Sequence, residues 1–168
     1  LAATGQAFAE NAVTGMRVGA VQIDDRTGLR LVIETKAPLK ANLLLLQSPY
    51  RLVIDMPKTK WDVDKLAPRG NLQVAPGSAY RFGNPKPEIG RLVIELEKPA
   101  APVRVFTLPS AGAGSRFVID LLDRGKTAFL VASSALEKNP NIDLNDAVTD
   151  RAVVKDADRV KMVKPLSM

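Results

Sequence analysis

The sequence predicts an all-β protein: a β-sandwich of two four-stranded antiparallel sheets built by internal duplication, followed by a partly ordered C-terminal linker. Two observations carry that expectation. One short phrase recurs four times, as Arg30-Leu31-Val32-Ile33-Glu34, Arg51-Leu52-Val53-Ile54-Asp55, Arg91-Leu92-Val93-Ile94-Glu95 and Arg116-Phe117-Val118-Ile119-Asp120. The first and third begin 61 residues apart (30 to 91), the second and fourth 65 (51 to 116), and Ser110-Ala111-Gly112-Ala113-Gly114 accounts for the four extra residues. Self-similarity at a fixed spacing means one supersecondary unit used twice. The second observation is composition. Twelve Pro and eleven Gly in 168 residues are more breaks than a helical bundle tolerates.

The elements follow in order. Strands are expected near 16–23 and 29–36, joined by the turn-forming run Asp24-Asp25-Arg26-Thr27-Gly28. Gln47-Ser48-Pro49 joins the next two, near 43–46 and 50–56. The second unit repeats the plan near 79–83, 90–97, 102–108 and 115–122. Shorter echoes support the doubling: Arg17-Val18-Gly19 against Arg81-Phe82-Gly83, and Pro49 against Pro109. The stiff run Asn84-Pro85-Lys86-Pro87 leaves the register of the fifth strand open. In the tail, Phe129-Leu130-Val131-Ala132 and Ala135-Leu136 predict a short amphipathic helix ended by Pro140. The domain boundaries expected are a leader over 1–12, the sandwich over 13–124 and a linker over 125–168.

Side chains alternate faces along a strand, so the phrase divides cleanly. Leu31/Ile33, Leu52/Ile54, Leu92/Ile94 and Phe117/Ile119 form the expected core, each burial contributing about 1.5–3 kcal/mol. The opposite face presents Arg30 and Glu34, Arg51 and Asp55, Arg91 and Glu95, Arg116 and Asp120. Two readings of these eight residues stand side by side. They form a solvated face with weak cross-strand ion pairs. Or they form a ligand face, where guanidinium forks meet carboxylate or phosphate.

Chemistry is bounded by two zeros. The chain has no His and no Cys, which removes zinc sites of imidazole and thiolate, nucleophiles activated by histidine and disulfides. Carboxylate chemistry and binding survive. The 24 basic residues exceed the 18 acidic by six, a balance that favours polyanionic partners. There is no basic run, and only 5% of residues are aromatic, so the stacking platforms of nucleic-acid binders are not supplied. No segment reaches the ~20 apolar residues that span a bilayer. Trp61 reads as an edge cap rather than a sugar platform, and Asp24/Asp25 and Asp62/Asp64 as turn residues rather than cation ligands. Ala7-x-Ala9 has the small residues of a signal-peptidase site, which predicts export to a periplasm with cleavage near Ala9.

The doubled pattern resembles the AMIN domain, the amino-terminal module of periplasmic N-acetylmuramoyl-L-alanine amidases that also fronts some pilus secretins. The matching residues run from Gly15-Met16-Arg17-Val18-Gly19 and Thr27–Glu34 through Pro49–Pro57 with Trp61. They continue in Tyr80-Arg81-Phe82-Gly83, Gly90–Glu95 and Arg116–Leu121. The resemblance implies a non-catalytic module that binds peptidoglycan and localises its enzyme, often at the division site, where division-site proteins are further partners. It implies no cofactor in this chain and zinc only in a catalytic domain beyond it. The alternative it leaves open is an assembly module of a pilus secretin.

Overall fold

The computed structural model describes residues 10–140 and the backbone of 162–167; the Ala9 cleavage site and most of the tail lie outside these residues. Among the described residues eleven strands and one helix follow in order: β1 (Asn11–Ile23), β2 (Arg26–Thr35), β3 (Asn42–Leu46), β4 (Arg51–Pro57), β5 (Thr59–Trp61), β6 (Arg69–Asn71), β7 (Gly77–Lys86), β8 (Ile89–Leu96), β9 (Ala100–Pro109), β10 (Ser115–Asp123), α1 (Lys126–Lys138) and β11 (Met162–Ser167).

The first sheet runs β11-β1-β2-β10-β9 and the second β3-β4-β8-β7-β6. All eight expected strands are present and supply a four-stranded centre for each sheet. The duplicated units do not form one sheet each. β2 of the first unit pairs with β10 of the second, and β4 pairs with β8, so every sheet is half from each unit. Matching β1 to β7, β2 to β8, β3 to β9 and β4 to β10 superposes β1-β2-β10-β9 on β7-β8-β4-β3, which is the pseudo-twofold.

Strand count is the correction. The first sheet has six strands and the second five, because three short strands with little apolar pattern of their own border the expected eight. β6 pairs with β7 and β11 with β1 at pseudo-equivalent edges, while β5 adds to β1 in parallel through Asn11↔Thr59. Such additions satisfy backbone groups that an edge strand would leave open. The uncertain strand is continuous: β7 crosses Asn84-Pro85 with a bulge between Gly83 and Lys86, held by the Asn84 amide donating to the carbonyls of Thr59 and Ile89. The Ser110–Gly114 insertion is also tighter than a free connection, closed by Ser110 N–H to the Gly114 carbonyl at 3.0 Å.

The eight predicted core positions are all buried, seven of them at 0% exposure and Phe117 at 3%. The central valines of the phrases, Val32, Val53, Val93 and Val118, are buried too, although they face outward. On the first sheet Val32 and Val118 pack with Phe106 and Leu108.

The helix stops at Lys138, one residue before Asn139-Pro140, as the proline predicts. It packs on the sandwich. Phe129 and Leu136 enter the main core, and Phe129 meets Tyr50 edge-to-face at 5.0 Å. The Ser133 hydroxyl donates to the Leu45 carbonyl, and Leu43 N–H to the Pro140 carbonyl, both at 3.0 Å. α1 thereby closes the β3 edge.

One contact gives a local test. A Cβ on Gly28 would lie 2.4 Å from the backbone carbonyl oxygen of Leu121. Gly28→Ala must therefore push β2 and β10 apart, with an expected loss of about 1–3 kcal/mol. A lower urea midpoint with an unchanged slope checks it.

Candidate functional site

The register explains how the repeated phrases use their charges. Arg30 and Arg91 do not bond the acid of their own phrase, four residues on. Each bonds the acid of the phrase beside it, contributed by the other unit. Asp120 stands opposite Arg30, and Asp55 opposite Arg91. Arg30 grips Asp120 through Nε at 2.7 Å and Nη2 at 2.8 Å. Arg91 grips Asp55 in the same way, at 2.6 and 2.7 Å. These are bidentate, charge-assisted pairs.

The pseudo-twofold extends to the remaining residues. Glu34 pairs with Arg17 at 2.8 Å, and Glu95 with Arg81 at 2.5 Å. Arg51 donates to the Pro49 carbonyl at 2.8 Å, and Arg116 to the Pro109 carbonyl at 3.2 Å. All eight candidate residues thus have an internal partner, and symmetry relates every contact to another. Arg17 and Arg81 were visible in the sequence only as the echo Arg-x-Gly.

The two outer faces nevertheless differ in access. On the first sheet the Arg30 side chain is 9% exposed and Asp120 is fully buried. Phe106 lies with its ring centroid 5.4 Å from the Arg30 guanidinium carbon, within cation–π range. Val32, Phe106 and Val118 cluster with Leu108 around this pair. On the second sheet Leu44 holds the position equivalent to Phe106. With no ring above it, the Arg91 side chain is 43% exposed and Asp55 25%. The Asp55 hydrogen bond, opposed by partial burial, raises the Arg91 guanidinium above its ordinary value. A base raised in the folded state stabilises it below the unfolded value and loses that only on passing the folded one. The Arg91 guanidinium therefore adds no pH dependence in the working range.

On the outer surface of the second sheet both arginine pairs are open to water, whereas on the first only Arg17–Glu34 is. Arg51, Arg69, Arg81 and Arg91 stand on the second sheet against Asp55 and Glu95. A shallow groove of about 350 Å³ opens between β6, β7 and β8, lined by Arg69, Asn71, Ala79, Arg81 and Glu95. Sequence reasoning missed Arg69 and Asn71, because β6 is three residues long and shows no alternation to mark it.

Other candidates resolve simply. Trp61 stacks on Phe82 at 4.3 Å and its indole N–H donates to the Gly83 carbonyl at 3.0 Å, so it closes the sandwich margin. Asp24 and Asp25 form the β1–β2 turn, with Asp24 at φ 53°. Among the described residues, no three His, Cys, Asp or Glu side chains gather where they could hold a metal ion. No described helix is long and apolar enough to cross a membrane.

No curated protein matches the chain. The AMIN domain model matches residues 20–121, well over half of the chain, spanning β2 to β9 whole and most of β10. With the duplicated phrase, the two half-and-half sheets and their symmetric arginine pairs in place, the chain belongs to the AMIN domain family.

Proposed function

We propose that this chain is the non-catalytic peptidoglycan-binding and localisation module of a periplasmic N-acetylmuramoyl-L-alanine amidase, septal targeting included, and that it meets the wall through the outer face of its second sheet. AMIN domains serve as wall-binding and targeting modules in amidases and secretins, which supports the ligand class. The observation that carries the site is the asymmetry of access at the central pair: Arg30–Asp120 is buried under Phe106 on one sheet, and its equivalent Arg91–Asp55 is open on the other. Peptidoglycan offers carboxylates on its peptides and hydroxyls on its glycan, and exposed guanidinium groups suit both. With neither His nor Cys in this chain, the zinc chemistry of such an enzyme falls to a catalytic domain, and division-site proteins are partners to be sought with the whole protein.

Co-sedimentation with purified sacculi tests this. Arg51→Ala plus Arg81→Ala, on the second sheet, is expected to weaken pelleting at least about tenfold, which corresponds to 1.4 kcal/mol. Arg17→Ala plus Arg116→Ala, on the first, is expected to pellet as the wild type does. Binding should fall from 0.05 to 0.3 M salt, because exposed charges are screened beyond about 8 Å at physiological ionic strength. A wild-type protein left in the supernatant overturns the proposal.

A further inference from the structure

The groove between β6, β7 and β8 contains a charge arrangement that the fold alone does not satisfy. Register places Arg69 directly opposite Arg81 on the outward face. Like charges in that position repel and destabilise a ladder. Arg81 is neutralised by Glu95 on its other side. Arg69 is exposed, and among the described residues no carboxylate lies within ion-pair distance of it.

The pseudo-twofold sharpens the point. Across Arg17, the equivalent of Arg81, stands Ser167 of β11, so the first sheet has no second arginine there. The doubled arginine belongs to one face only, and the duplication does not account for it.

The space beside it has a definite shape. In the next outward row Asn71 faces Ala79, which faces Glu95. Ala79 is the small residue between two longer ones and leaves the groove floor low. Gly70, one position away, points inward, where a Cβ would meet the Tyr80 ring at 2.7 Å. β6 therefore lies tight on β7 and fixes Arg69 at the groove wall.

The geometry points to a carboxylate subsite: the free carboxylate of a wall stem peptide lies between Arg69 and Arg81, with the Asn71 amide donating to it. Arg69 supplies a free guanidinium fork, which fits the planar carboxylate bidentately. Arg81 keeps further N–H donors beyond the one that Glu95 uses. Glu95 repels a second carboxylate and attracts an amine, so the groove favours a peptide terminus carrying both. The inference rests on the peptidoglycan-binding reading and assigns recognition to the peptide rather than the glycan.

Heteronuclear NMR titration of the whole chain decides it, with a synthetic wall stem peptide ending in a free carboxylate and the same peptide ending in a carboxamide. The acid is expected to shift the amides of Arg69, Asn71 and Arg81 and to bind at least tenfold more tightly than the carboxamide. Arg69→Gln should remove that preference without moving the melting temperature, and Arg69→Lys should restore part of it. Equal binding of acid and carboxamide overturns the assignment, as does full acid affinity in Arg69→Gln. Inorganic phosphate shifting the same amides with the affinity of the acid also overturns it. Sacculus pelleting separates the two readings. If wild type pellets but does not distinguish acid from carboxamide, the subsite fails and wall binding stands. If wild type does not pellet, wall binding itself fails.

Discussion

Asp120→Ala is expected to destabilise the domain by about 3–5 kcal/mol, while the symmetry-related Asp55→Ala costs about 1 kcal/mol or less. The two carboxylates occupy equivalent positions and make the same two hydrogen bonds. They differ in surroundings. Removing Asp120 strands the Arg30 guanidinium beneath Phe106 at 9% exposure, and an uncompensated buried charge carries that penalty. Removing Asp55 leaves Arg91 in contact with water, where ion pairs contribute about 0.2–1 kcal/mol. Thermal melts should show a fall on the order of 10 °C or more for Asp120→Ala and a few degrees at most for Asp55→Ala. Equal shifts would show that the sheets bury their pairs equally. A further variant keeps the test informative if Asp120→Ala does not fold: replacing Arg30 by Met together with Asp120 by Leu should fold and be near wild type, because an apolar pair needs no desolvation.

Phe129→Ala is the second large effect, with an expected loss of about 3–5 kcal/mol. Phe129 is 1% exposed, lies in the main core cluster and meets the Tyr50 ring. Its deletion removes both the transferred apolar area and the edge-to-face contact, and leaves a cavity at the seam between β3 and β9. Two residues along the same helix, Val131 is 66% exposed, and Val131→Ala should change stability by no more than about 0.5 kcal/mol. Urea titration of both variants checks the pair. A small loss for Phe129→Ala would mean that α1 is an appendage and not part of the core.

The inward half of each phrase was legible because burial is a local property of alternation. Leu31, Ile33, Leu52, Ile54, Leu92, Ile94, Phe117 and Ile119 follow a period of two, and that period already specifies one buried face. Strand positions followed from the same pattern and from turn residues such as Asp24-Asp25 and Pro49. The short β5 and β6 were not legible, since three residues carry no readable period. The helix was legible from its spacing and Pro140. Its docking was not, because an amphipathic stripe states that a face is buried without stating against what.

For the candidate site the division is sharper. The sequence by itself determined which residues face outward: four arginines and four acids, repeated by duplication, in a chain without His or Cys. Only the tertiary structure decided their partners. Cross-strand pairing joins residues 36 and 90 positions apart, and register is set by which strands of the two units come together. It also decided access, where Phe106 and Leu44 occupy equivalent positions beside the two pairs. A ring over a guanidinium excludes water, whereas a smaller side chain leaves it open. Duplication gave the protein two equivalent faces, and packing buried the central arginine pair on one while leaving its counterpart open to water on the other.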